Sequence, residues 1–169
     1  MTRSNASKAV LLLRRFLLKC TGIYFGKQRG NSVYQTVLEP RVSETDGVGH
    51  INNTVLPVWF EAARNPLFSL FTPDHDFTKW KMVIVKTTLE FISQIYFGED
   101  VEIRTWVSKI GNSSLELYEE LHQHGKLCAR NTAVYVNYDL SAQKSEPIPK
   151  KIREELHKHL IEDKAKVQR

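Results

Sequence analysis

At 169 residues, 41% hydrophobic and 25% charged, the chain has the length and apolar content of one globular domain with a sizeable core, which argues against a second independent domain. A formal charge of +5 and a pI near 9.2 favour anionic partners, whether nucleic acid, a membrane surface or a phosphorylated small molecule, without choosing among them. Only Cys20 and Cys128 are present, with no C-x-x-C spacing, so neither a disulfide framework nor a cysteine metal site is suggested, and a reducing cytoplasm fits best.

Taken in chain order, the first notable stretch is Ala9 to Leu18, "AVLLLRRFLL". Its uninterrupted apolar run ends at Arg14, far short of the roughly 20 residues of a spanning helix. Arg14 and Arg15 also split the apolar core of any secretory signal, and no small-residue cleavage site follows. Residues 1–31 therefore read as a basic amphipathic appendage, able to make peripheral contact with an anionic membrane or to pack on the protein's own surface. Residues 32–169 read as the folded domain.

"SVYQTVLEPRV" (Ser32 to Val42) reads as a first strand. Next comes the decapeptide "ETDGVGHINN", Glu44 to Asn53, which crowds two carboxylates, a histidine, two glycines and two adjacent asparagines ahead of an apolar run. In that run Val55, Val58, Trp59, Ala62, Ala63, Pro66, Leu67 and Leu70 recur at three- and four-residue steps, the period of an amphipathic helix. Asn53 or Thr54 suits its N-cap and Pro57 its first turn, whereas Pro66 removes an interior hydrogen bond and predicts a bend near Asn65.

Downstream the period falls to two. Val83, Val85, Thr87, Leu89 and Phe91 share one face of "KMVIVKTTLEF", and Val101, Ile103 and Val107 share one face of "VEIRTWV". "LELYEEL" and the long run Lys126 to Tyr138 complete four strands. Gly111-Asn112 and His124-Gly125 separate the last three at hairpin-like distances, which predicts an antiparallel meander. After "SEPIPK", Ile152, Leu156 and Leu160 mark a closing helix with Pro149 near its start. A helix with one apolar face and strands with one apolar side are buried most economically by curling the sheet round the helix. The expected class is α+β: a five-stranded antiparallel sheet wrapped around a long central helix, with extra N- and C-terminal helices.

"SETDGVGHINN", "WFEAAR" (Trp59 to Arg64), "FGEDVEIRTWV", "KIGNSS" and the "YDLSAQKSEPIPKKI" tail, in this order, resemble the hydroxybenzoyl-coenzyme A thioesterase branch of the hotdog superfamily. The resemblance runs from about Tyr34 to Leu156. It implies hydrolysis of acyl thioesters, from acyl-coenzyme A or acyl-carrier protein, with no cofactor. It also implies homodimers that join their sheets, place active sites at the subunit interface, and in some cases pair into tetramers. A homo-oligomer is further suggested by the long strand Lys126 to Tyr138.

The same resemblance assigns Asp46 as the catalytic acid, either general base or nucleophile, and the backbone N–H of Asn53 as the donor to the thioester carbonyl. Both suit the chemistry, because thioester cleavage needs an activated nucleophile and a donor for developing oxyanion charge. Gly47 and Gly49 permit the tight turn that brings carboxylate and helix end together. His50 reads as an orienting or structural residue beside them. Gly49, Asn52, Trp59 and Lys109 are the expected substrate contacts, Asn52 also holding turn backbone through its amide and Lys109 meeting carrier phosphates. Glu44 reads as structural. Glu61 and Arg64 have the i,i+3 spacing of a helix-surface ion pair. Leu56 stands where relatives commonly have tyrosine, which makes the pocket more apolar or differently shaped.

Other chemistries find little support. His122 with His124 and His157 with His159 lack nearby acidic or cysteine ligands in workable geometry. No phosphate-cradling glycine motif occurs, and the lysines of the C-terminal stretch are balanced by acids and not interleaved with aromatic residues, against nucleic-acid binding. A non-catalytic acyl-thioester binder and a hotdog dehydratase or hydratase are the alternatives.

Overall fold

The computed structural model describes residues 23–27, 33–74 and 76–161. Its strands are β1 (Ile23–Lys27), β2 (Tyr34–Leu38), β3 (Met82–Phe91), β4 (Val101–Ile110), β5 (Ser114–Gln123), β6 (Lys126–Asp139) and β7 (Lys144–Ser145). The helices are α1 (Leu56–Ala63), α2 (Asn65–Phe71) and α3 (Lys150–His157). The sheet is antiparallel throughout, in the order β1-β2-β4-β5-β6-β3, with the two-residue β7 on β6. β2 to β6 are the five expected strands, curled round α1 and α2, and β1 and β7 lengthen the sheet at its margins.

The β4-β5-β6 meander follows from its turns. His124 and Gly125 both take positive φ (53° and 73°), as a two-residue hairpin between Gln123 and Lys126 requires. β2 stops at Leu38, short of the expected Val42, because Pro40 has no N–H to give a ladder and residues 42–44 wind into a 3-10 turn. The helix breaks as Pro66 predicts: Arg64 (φ −85°, ψ −7°) separates α1 from α2, and its carbonyl takes the N–H groups of Leu67 and Phe68.

Two expectations need correction. Residues 23–27, grouped with the N-terminal appendage, belong to the sheet, pairing with β2 from Ile23↔Leu38 to Lys27↔Tyr34. The remainder of the expected appendage and its amphipathic helix lies outside the described residues. The long strand β6, which suggested a homo-oligomer, is paired on both sides, and among the described residues the edge beside it is β3. β3 is also less buried than its alternation implies: a bulge between Ile84 and Lys86 breaks the register, and Val85 (58%) and Phe91 (57%) are exposed.

The core holds two apolar clusters. One gathers Leu56, Trp59 and Phe60 of α1 against Leu38, Ile103 and Leu121, and the other gathers Leu67 and Phe68 of α2 with Val107, Leu117 and Leu156. A polar band lies between them. Glu119, fully buried on β5, accepts from Arg64 Nη2 at 2.7 Å, from Arg64 Nε at 3.0 Å and from Asn131 Nδ2 at 2.7 Å. Arg64 Nη1 donates to the Tyr135 hydroxyl at 2.7 Å, and Thr87 donates to Asn131. Burial opposes the Arg64 charge, but the Glu119 carboxylate and the Tyr135 hydroxyl outweigh it and hold the guanidinium above its ordinary pKa. The expected Glu61–Arg64 surface pair is thus replaced: Arg64 sits at the helix break and turns inward, and Glu61 is left exposed.

After α3 the chain returns to the sheet. Val107 N–H donates to the His159 carbonyl and Ile161 N–H to the Val107 carbonyl, so residues 159–161 run beside the part of β4 that the short β2 does not reach.

Candidate active site

The polar decapeptide folds as a narrow loop clamped at its base. Thr45 bridges Ile51, Asp46 N–H donates to the His50 carbonyl at 2.9 Å, and Asn52 N–H donates to the Glu44 carbonyl at 2.8 Å. The tight reversal needs left-handed backbone at Gly47 (φ +87°) and Gly49 (φ +89°), which a side chain would strain. Glu44 locks the loop from outside, accepting Arg41 N–H at 2.7 Å and Trp59 Nε1–H at 3.1 Å.

Asp46 uses one oxygen on the loop: Oδ1 accepts Val48 N–H at 3.1 Å. Oδ2 faces His50 Nδ1 at 3.9 Å, beyond hydrogen-bond reach. The His50 ring stands edge-on to Tyr96, with centroids 4.9 Å apart, and its backbone bridges the same residue. Ile51 N–H to the Ile95 carbonyl (2.8 Å) and Phe97 N–H to the Gly49 carbonyl (3.0 Å) complete a zipper between the decapeptide and the segment joining β3 to β4.

At the loop's end Asn52, not Asn53 or Thr54, is the cap: its Oδ1 accepts Thr54 N–H at 3.0 Å and the Thr54 hydroxyl at 2.8 Å. Asn53 opens the 3-10 turn Asn53–Val55 that leads into α1. The turn's first internal bond is Val55 N–H to the Asn52 carbonyl, so the Asn53 N–H precedes it, as an opening N–H of a helical turn does.

These groups share one cleft of about 290 Å³. Asp46, His50, Asn52 and Asn53 form its polar wall. Leu56 and Ile51 supply an apolar side, and Phe91, Ser93, Gln94 and Ile95 complete the lining. Phe91 ends the period-two run of β3, but Ser93, Gln94 and Ile95 lie in an irregular connection with no periodic signal, and their link to the decapeptide is a tertiary one.

Three of the expected contacts are not among the residues that line this cleft. Gly49 shapes the turn and gives its carbonyl to Phe97. Trp59 is buried in the first apolar cluster and ties α1 to Glu44. Lys109 is exposed, opposite Glu116 near the far end of β4; eight residues beyond Val101 put it about 26 Å along the strand from the cleft end of the sheet. Among the described residues, no group of three or more His, Cys, Asp or Glu comes together that could hold a metal ion.

A family model described as the thioesterase-like superfamily matches residues 40–156. A predicted thioesterase from Bacillus stearothermophilus is 50% identical, superposes with a TM-score of 0.75, and covers 78% of this chain and 98% of its own. A thioesterase from Thermus thermophilus, solved with coenzyme A and zinc, shares the fold at a TM-score of 0.65 and 24% identity, over 73% of this chain and 90% of its own. The uncharacterized protein YsmA of Bacillus subtilis (strain 168) is 27% identical over 106 residues, 62% of this chain and 72% of its own.

Proposed function

This chain belongs to the thioesterase-like superfamily and has the hotdog fold, and from that premise we propose that it hydrolyses acyl-coenzyme A, with Asp46 as general base and the Asn53 N–H as carbonyl donor. The observation that carries the reading is the single cleft lined by both residues. Asp46 Oδ2 takes a proton from water as the water oxygen bonds to the thioester carbonyl carbon. The carbonyl oxygen gathers the negative charge, which the Asn53 N–H and the start of the helix offset. The carbon–sulfur bond then breaks, the proton passes from Asp46 to the departing sulfur, and a free acid and a thiol leave. His50, 3.9 Å from Oδ2 and braced by Tyr96, orients the carboxylate. Leu56, Ile51, Phe91 and Ile95 receive the acyl group.

Coenzyme A as the carrier is supported by the Thermus thermophilus thioesterase, which was solved holding it. The test is a panel of acyl-coenzyme A and acyl-carrier protein substrates, with products identified by mass spectrometry. Free acid and free coenzyme A are expected. Binding without turnover would instead indicate an acyl-thioester binder, and a product with added water but an intact thioester would indicate a hydratase. A cytoplasmic setting is supported by Cys128, a free and buried thiol; among the described residues no helix is long and apolar enough to cross a membrane.

The working unit is a homodimer joined at β3. Ile84, Val85, Phe91 and Ile92 are exposed on this free edge, and a second copy's β3 would continue the ladder and cover them. Phe91 also lines the cleft, so the partner would complete that wall. Sedimentation at micromolar concentration should give twice the 19.6 kDa chain mass, and Val85→Lys should shift it toward monomer with loss of activity. A wild-type species of 19.6 kDa that is fully active would rule the dimer out.

A further inference from the structure

β5 turns its odd-numbered residues toward the central helix. Leu115, Leu117 and Leu121 enter the two apolar clusters, and Glu119 is matched by Arg64 and Asn131. Gln123, the last residue of β5, takes the same inward side and is only 5% exposed. A buried primary amide needs partners for its oxygen and its two N–H groups. Gln123 finds them on the backbone of the segment that joins β3 to β4. Tyr96 N–H donates to Gln123 Oε1 at 2.9 Å, and Gln123 Nε2 donates to the Tyr96 carbonyl at 2.9 Å and to the Glu99 carbonyl at 3.0 Å.

The zipper explains why Tyr96 takes an amide there. Tyr96 faces His50 as a non-hydrogen-bonded antiparallel pair, flanked by the bonds from Ile51 N–H to the Ile95 carbonyl and from Phe97 N–H to the Gly49 carbonyl. In such a pair the N–H and C=O of each residue point away from the opposite strand. On the His50 side the carbonyl accordingly accepts Asp46 N–H. On the Tyr96 side both groups meet Gln123, whose amide offers a donor and an acceptor from one planar end, as a peptide group does. Its side chain takes the place of a further strand, and Gln123, Tyr96, His50 and Asp46 stand in line.

We propose that Gln123 is a positioning residue for the reaction: by fixing the Tyr96 backbone it sets where His50 meets Asp46, although it does not itself line the cleft. The proposal rests on the reading of Asp46 as the base that His50 orients. The bond to Glu99 adds a second point of hold, because the chain reverses between Tyr96 and Glu99 through Gly98 (φ +91°) and the amide spans that turn. The start of the same segment is held separately, by the N–H groups of Ile92 and Ser93 on the Cys128 carbonyl. Loss of the Gln123 amide therefore frees the end beside His50 and leaves the end beside Phe91 in place. Such a change acts on turnover more than on substrate binding.

Kinetics and amide exchange on the full-length protein test this. Gln123→Met keeps the length of the side chain and removes the amide. It should lower kcat for acyl-coenzyme A hydrolysis by about tenfold or more and change KM by less than about threefold, the pattern of a misplaced catalytic group. Exchange of the Ile51 and Phe97 amides should quicken by about tenfold relative to the amides of β4 and β5, a comparison that removes any global loss of stability. Because the effect travels through His50, adding Gln123→Met to His50→Ala should cost less than about threefold further in kcat, where independent losses would multiply. Gln123→Asn keeps the amide one methylene short of its partners; it should behave in the same way and replaces the methionine variant if that one fails to fold. Unchanged relative exchange at Ile51 and Phe97, or a full second loss on top of His50→Ala, overturns the proposal and leaves Gln123 a core residue only. If wild type turns over no acyl thioester, the hydrolase reading falls by itself, and exchange at Ile51 and Phe97 decides for or against the clamp.

Discussion

Asp46→Asn is expected to lower turnover by about 10² or more with the fold intact, the scale of losing a positioned base. The substitution keeps the loop, because an amide oxygen can still accept Val48 N–H as Oδ1 does. What it removes is the basic second oxygen. Substrate affinity should survive, since the Asn53 N–H and the apolar side of the cleft are untouched. His50→Ala should cost less, because His50 stands 3.9 Å from the carboxylate and acts through it. Glu61→Gln should cost little: Glu61 is exposed, and Arg64 already has Glu119. Steady-state kinetics with circular dichroism as the folding control decide the matter. Near-full activity in Asp46→Asn together with an inactive Glu61→Gln would move the chemistry to the helix carboxylate.

The largest effect on stability is expected at Glu119. Glu119→Leu strands the buried Arg64 guanidinium and the Asn131 amide, and breaking a buried pair from one side costs about 3–5 kcal/mol. For a chain of this size that lowers Tm by roughly 10 °C. Arg64→Leu/Glu119→Leu removes both charges and should recover much of the loss, because no desolvated ion remains. Denaturant titration of the two single variants and the double variant gives the coupling directly. Equal losses in Glu119→Leu and the double variant would show that packing, not charge, dominates the site.

The same pair shows what is legible in a linear chain. Glu61 and Arg64 sit at helix-pair spacing, and nothing local says that Arg64 will turn inward to a carboxylate 55 residues later. Its inward course follows from the break that Pro66 imposes, and that break is readable in the sequence. Period-two alternation locates β4, β5 and β6, and His124-Gly125 locates a hairpin, because both signals are carried by neighbours in sequence. Strand order is not so carried: β3 crosses to the far side of β6, which makes β3 and not β6 the free edge. The cleft is half legible for the same reason. Asp46, His50, Asn52 and Asn53 stand within eight residues of one another, whereas the stretch from Phe91 to Ile95 joins them through a tertiary backbone zipper that runs from Ile95 to Phe97. Lys109 is suggested by charge alone, and strand length carries it away.

The two ends of the sheet are unequal, and that inequality bears on stoichiometry. Among the described residues one margin is β1, five residues with a glycine inside; the other is β3, ten residues with exposed Ile84 and Val85. Two long, compatible margins would let molecules add head to tail into a fibre. Here the vacant stretch of β4 is occupied by the returning chain at 159–161, and the short β1 offers a poor template for a ten-residue neighbour. If two copies join at β3, as proposed, that contact uses up the long margin of each molecule, and growth of the sheet would stop at two copies.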